Sequence, residues 1–254
     1  MFRAHGEAVE YAEWAPIYAR IQREFGFSMD RERASADRLV ALLDDAGRRP
    51  PLPRLAGRFS GRDVVVVGLA PGAGAPPVWQ LPPTKPAPAL VAADGAAARC
   101  LSGGLVPDVI TTDLDGPVAS EISAGARGAA LVVHAHGDNL AAIEEWVPQM
   151  RGEVAGSWAG PPSESLLDVG GFTDGDRGAY LAAHLGARRV LLWGFEFGQV
   201  DTSGEPDPSR KLAKLRWAEV ALSALARGPV PILTWRRDAT LVPYRPAADG
   251  SMTQ

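Results

Sequence analysis

The stretch Asp63–Ala70, DVVVVGLA, decides how this chain is read. Four valines in succession leave no polar face, so the segment suits a strand covered on both sides, as in a parallel sheet. Similar runs follow at ALVAADG (89–95), DVITTDLDG (108–116), ALVVHAHGDN (130–139), RVLLWGFEFG (189–198) and VPILTW (230–235). Helix-like stretches lie between several of them: GAAARCLSG (95–103), NLAAIEEWVPQM (139–150), RGAYLAAHLGA (177–187) and RKLAKLRWAEVALSALARG (210–228). Alternating strands and helices predict an α/β fold, a mostly parallel sheet flanked by helices.

Upstream the texture differs. AEWAPIYARIQREFGF (12–27) and MDRERASADRLVALLDDAG (29–47) carry apolar residues at helical spacing, and the second closes at Gly47. RRPPLPRL (48–55) then breaks the pattern at Pro50, Pro51 and Pro53. Residues 1–55 are therefore expected to form an N-terminal helical region, and residues 56–254 the α/β catalytic domain. Packing on the sheet, covering a substrate and contact in a homo-oligomer are all open to the helical region. Residues 71–88, PGAGAPPVWQLPPTKPAP, are too rich in Pro and Gly for regular structure and are expected to form a long surface loop.

Bulk properties narrow the class. With 46% hydrophobic and 22% charged residues, the 254-residue chain has the composition of a globular protein. A net charge of −4 with interspersed signs gives no nucleic-acid footprint. A lone Cys100 rules out an intrachain disulfide. No apolar run reaches the ~18 residues of a membrane span, and the N-terminus has no signal-like core, so a cytoplasmic chain is expected.

Chemistry concentrates where the apolar runs end. They close on Asp94-Gly95, on Asp113-Leu-Asp115-Gly116 and on His136-Gly-Asp138-Asn139; Thr173-Asp174-Gly-Asp176-Arg177 opens a later helix. Ligands of open parallel sheets bind outside the carboxyl ends of the strands, so these side chains are expected to share one edge. Carboxylates at such an edge suit Mg²⁺, which prefers oxygen ligands. His134 and His136 would share a strand face, but zinc needs further ligands and the downstream chain offers only His184, inside a helix-like stretch. The start of a helix favours anions, although Thr173 or an aspartate could equally be an ordinary cap. Only three of the 26 basic residues are lysines, and two, Lys211 and Lys214, stand one helical turn apart where they could clamp a polyphosphate.

Taken in order, ADGA, PDVITTDLDG, VHAHGDN, GFTDGDRGA and KLAKLRWA resemble the archaeal 6-hydroxymethyl-7,8-dihydropterin pyrophosphokinases, relatives of thiamin pyrophosphokinase, across Val64 to Trp235. The resemblance implies a thiamin-pyrophosphokinase-like catalytic domain that transfers diphosphate from ATP to a reduced pterin, with release of AMP. It assigns Mg²⁺ to Asp113, Asp115 and Asp138, and catalysis to these three with His136. Asp94, Gly95, Asn139, Thr173, Asp174, Asp176, Arg177, Lys211 and Lys214 would bind nucleotide or pterin. Thiamin is the alternative acceptor. DLDG is also similar to the nucleophile motif of haloacid-dehalogenase-type phosphatases, but Pro117 stands where that motif continues with a hydroxyl residue. A non-catalytic ligand-binding module is the reading outside enzymes. The long 71–88 loop departs from the compact turn expected after the first strand, with Lys85 near enough in sequence to reach a phosphate.

Overall fold

Each apolar run becomes a strand, because a segment without a polar face is stable only when both faces are covered. The computed structural model describes residues 11–47, 52–81, 83–200, 207–236 and 240–245. Eight strands form one sheet: β1 (Asp63–Val67), β2 (Ala89–Ala93), β3 (Val109–Thr112), β4 (Ala130–Ala135), β5 (Val154–Trp158), β6 (Arg189–Trp193), β7 (Ile232–Trp235) and β8 (Leu241–Pro243). Their order is β5-β4-β3-β2-β1-β6-β7-β8, all parallel except β8, which runs antiparallel to β7. The sequence runs pointed to six of these. β5, VAGSW, escapes because Gly156 and Ser157 interrupt its apolar pattern, and β8 is a three-residue edge strand.

The helices are α1 (Tyr11–Phe25), α2 (Met29–Asp45), α3 (Leu52–Ala56), α4 (Ala96–Ser102), α5 (Val118–Ala126), α6 (Leu140–Trp146), α7 (Asp174–His184) and α8 (Pro208–Leu225). Side chains of β1 alternate between two cores. Val64 and Val66 meet α1, α7 and α8 through Trp14, Tyr180 and Leu222. Val65 and Val67 share the other core with α2, α4 and α6 through Leu39, Cys100 and Ile143. The two N-terminal helices thus cover opposite faces of the sheet. α2 lies so close to β5 that a Cβ on Gly156 would stand 3.0 Å from Leu39 Cδ2. Pro50 and Pro51 fall outside the described residues, whereas Pro53 lies in the first turn of α3, where its missing N–H costs nothing. The described residues of the 71–88 segment are irregular apart from one 3₁₀ turn at Val78–Gln80. Among the described residues, no helix is long and apolar enough to cross a membrane.

The strand order places the site. From β1 the chain steps outward to β5 and then returns to lay β6 against the free side of β1. That reversal opens a crevice at the carboxyl ends of β1 and β6. Two glycines make it close-fitting there: a Cβ on Gly68 would stand 2.6 Å from the Gly194 carbonyl oxygen, and one on Gly194 2.8 Å from that of Gly68. The opposite ends of β1 and β6 are pinned by Asp63, which accepts from Arg188 Nε at 2.8 Å and from Arg189 Nη2 at 2.5 Å.

Burial alone would raise the Asp63 carboxyl, but the hydrogen bonds and charges of Arg189 and Arg188 hold it down to about 2. A carboxyl depressed on folding adds stability above its unfolded value, lost as pH falls through the folded one. Asp63→Asn is therefore expected to cost about 2 kcal/mol at pH 7. In urea unfolding the gap between the two proteins should narrow below pH ~4 and close near pH 2.

Candidate active site

Three strand-end carboxylates converge in the crevice. Asp94 follows β2, while Asp113 and Asp115 follow β3, and each offers an oxygen within 4.8 Å of the others. The backbone is bent to achieve this: Asp94 has φ +44° and Leu114 φ +70°, left-handed values for residues other than glycine. Such positions cost on the order of 1–3 kcal/mol each and persist where surrounding structure enforces them. The turn at Leu114 lets Asp113 and Asp115 face the same way. Gly116 supplies the room for Asp94, because a Cβ there would lie 2.1 Å from Asp94 Oδ2. DLDG is thus a turn that gathers carboxylates.

Electrostatics set the members of the cluster apart. Burial, then the charges of Asp113 and Asp94, push Asp115 up to about 6. Asp174, at the start of α7, is raised well above the carboxylate range by burial and by the same neighbours, with Arg177 opposing. Asp113 alone goes the other way: the hydrogen bond and charge of His136, and Arg177 beyond it, outweigh its burial. Behind the trio, Glu121 is fully buried and pushed up to about 9, chiefly by burial and then by Asp94; Thr112 Oγ1 stands between them, 3.1 Å from Glu121 and 3.3 Å from Asp94. An oxygen-only set of mutually repelling carboxylates fits a hard divalent cation such as Mg²⁺.

The cleft around this cluster measures about 580 Å³, within the usual range for a small-molecule site. Lys211 and Lys214 of α8 line it, and Lys214 acts on Asp115. The end of β4 contributes two histidines to the same cleft, with different roles. His136 Nδ1 accepts from the Asp138 backbone N–H at 3.2 Å, which turns Nε2 toward Asp113, 3.5 Å from its Oδ2. His134 is buried against Ser157, and burial, with the charge of Arg177, keeps it neutral.

The comparisons of sequence with known proteins agree with one another. Residues 38–202 match the model of the MptE-like 6-hydroxymethylpterin diphosphokinase family. The chain is 35% identical over 89% of its length to the whole of a 6-hydroxymethyl-7,8-dihydropterin pyrophosphokinase of Methanothermobacter thermautotrophicus. It belongs to the MptE-like diphosphokinase family. A pyrophosphokinase of the same name from Methanocaldococcus jannaschii is 34% identical over 75% of this chain and 81% of its own. A solved glycosyltransferase structure from Magnetospirillum magneticum aligns at TM-score 0.45 and 15% identity, over 76% of this chain and 35% of that one, too distant to carry weight.

In this MptE-like chain the other residues singled out from the sequence divide between the cleft and its supports. Thr173, Asp174 and Arg177 line the cleft. Asp176 is fully buried and closes a capping box, accepting from the Phe172 and Thr173 N–H groups at 2.6 and 2.7 Å. Asn139 laces two strand ends together: its Nδ2 donates to the His134 and Asp113 carbonyls, and its Oδ1 accepts from the His136 N–H. Gly95 lies beneath the Leu69 and Pro117 side chains. Asp138 turns outward and pairs with Arg31 at 2.8 Å, so the group within 4.8 Å contains Asp94 in its stead. Lys85 is exposed, four residues before the amino end of β2, and lies outside the cleft wall.

Sequence reading missed the aromatic wall. Phe27, Phe172 and Phe195 all line the cleft, and each follows a glycine of positive φ: Gly26, Gly171 and Gly194 at +69°, +86° and +69°. The recurring Gly-Phe pair was the available signal. Tyr18, from the N-terminal helices, completes this wall.

Proposed function

We propose that this chain transfers diphosphate from ATP to 6-hydroxymethyl-7,8-dihydropterin and releases AMP, in an Mg²⁺-dependent reaction. The observation that carries the reading is the meeting of Asp94, Asp113 and Asp115 with Lys211 and Lys214 in one cleft. Carboxylates alone would repel ATP, so an acidic trio beside two ammonium groups suits a metal–polyphosphate. The acceptor comes from the names of relatives that the chain matches over most of its length.

Asp94, Asp113 and Asp115 would hold Mg²⁺, which when bound neutralises polyphosphate charge and stabilises the transition state. Lys211 and Lys214, which line the same cleft, bind the phosphates. The acceptor's hydroxymethyl oxygen bonds to the β-phosphorus as the bond from that phosphorus to the α–β bridging oxygen breaks, and AMP leaves. With Nδ1 accepting and Nε2 directed at Asp113, His136 acts as a donor that fixes that carboxylate. Asp174 faces the cleft outside the carboxylate trio, where its Oδ1 accepts from Arg177 Nη1 at 3.1 Å, and the alcohol proton passes to solvent.

Incubating the protein with ATP, Mg²⁺ and the reduced pterin, with thiamin in a parallel reaction, tests the assignment. The expected result is AMP and the pterin diphosphate in equal amounts, in the first reaction only. AMP with thiamin would transfer the site to that acceptor. Inorganic phosphate released from small esters would restore the phosphatase reading, and ligand-dependent stabilisation without turnover the binding module.

A further inference from the structure

The acceptor end of the cleft holds a pair of groups that the reaction as described does not use. Tyr18 lines the cleft, and its hydroxyl donates to Glu32 Oε1 at 2.6 Å. Both are buried: Tyr18 is 7% exposed and Glu32 2%. The rest of the Glu32 carboxyl is buried away from the cleft, with Gln22 acting on it. Arg177 acts on the Tyr18 hydroxyl and His136 on Glu32, which sets the pair beside the polar wall of the cleft. Phe27 and Phe172 also line the cleft and pack with ring centroids 6.2 Å apart, tilted by 48°.

With its proton committed to Glu32, the Tyr18 oxygen has only lone pairs to offer a ligand. Glu32 does not itself line the cleft, so it reaches a ligand only by orienting Tyr18. A 2-amino-4-oxopyrimidine ring carries two adjacent N–H donors on one edge, the 2-amino group and N3–H. A 4-aminopyrimidine of the thiamin type alternates donor and acceptor there and would set a lone pair against a lone pair. Unpaired buried polar groups are what give such sites their selectivity.

We propose that Tyr18, oriented by Glu32, is the specificity-determining residue for the acceptor, taking a hydrogen bond from the N–H edge of a flat heterocycle that rests on Phe27 and Phe172. The inference rests on the pterin reading of the site and assigns its selectivity to the N-terminal helices, since Tyr18 belongs to α1 and Glu32 to α2.

The test uses the full chain and two acceptors, 6-hydroxymethyl-7,8-dihydropterin and its analogue lacking the 2-amino group. The parent protein should prefer the amino acceptor by at least about 100-fold in kcat/KM. Tyr18→Phe should raise the pterin KM by about 5- to 10-fold, leave the KM for ATP within about twofold, and shrink the preference between acceptors. Glu32→Gln, which keeps a hydrogen-bonding partner for Tyr18 and so protects the fold, should move the pterin KM in the same direction. A Tyr–Glu pair that merely joined α1 to α2 would lower thermal stability without splitting the two KM values, and that outcome overturns the proposal. So does an unchanged preference between the acceptors in Tyr18→Phe. If the parent protein neither turns over the reduced pterin nor binds it by fluorescence titration, the pterin reading falls and this inference with it. If the parent turns over normally and Tyr18→Phe matches it, this inference alone fails.

Discussion

Asp115→Asn is expected to lower kcat/KM by at least about 100-fold while raising, not lowering, the temperature of unfolding in metal-free buffer. The two signs have one cause. Asp115 is pushed up to about 6 by burial and by Asp113 and Asp94, so at neutral pH its ionised form is disfavoured in the folded protein. A carboxyl whose folded value lies above its unfolded one destabilises the fold at any pH above both, and removing the charge relieves that. Asp113→Asn should lose activity to a similar degree, but with a lower unfolding temperature. Its charge is favoured by His136 and Arg177, and the amide would forfeit both. Steady-state kinetics and thermal melts in EDTA, then in Mg²⁺, check the pair. The parent should gain stability from the cation and neither variant should. Equal melts in EDTA would show that the two carboxylates are not held in opposite electrostatic settings.

That contrast could not be read from DLDG, which presents Asp113 and Asp115 as equivalents. The sequence did reveal that carboxylates end the buried strands, because a strand covered on both faces can turn polar only where it leaves the sheet. It did not reveal which of them meet. Asp138 stood next to the most conspicuous motif, yet its carboxylate turns to Arg31, 107 residues away in the chain. Asp94 joins the trio through a left-handed backbone angle and a vacancy at Gly116, neither of which has a signature in one sequence. The start of α7 divides in the same way: Asp174 lines the cleft, and Asp176, two residues on, is spent on the cap. The N-terminal helices were legible as helices, but nothing in their spacing said that Tyr18 would reach a cleft built by strands that begin 45 residues later.

Gly116→Ala is expected to cost nearly as much activity as losing a ligand, although residue 116 carries no side chain to lose. The added methyl would stand 2.1 Å from Asp94 Oδ2 and 2.6 Å from its Cγ, distances no real contact sustains. Asp94 has little room to yield in place. Its φ is already +44°, and Thr112 Oγ1 lies 3.3 Å from Oδ1 with buried Glu121 behind it. The carboxylate must therefore swing out of the trio, and kcat/KM should fall by about 100-fold. The loss of stability should be smaller than such a clash suggests, because an outward Asp94 no longer opposes the charge on Asp115. A double-mutant cycle isolates the cause. If Gly116 acts only by admitting Asp94, the Asp94→Ala/Gly116→Ala protein should be no less active than Asp94→Ala alone, since the smaller side chain leaves the methyl nothing to strike. Two losses that simply add would mean that Gly116 serves the turn by its backbone freedom, and that the room it leaves for Asp94 is incidental.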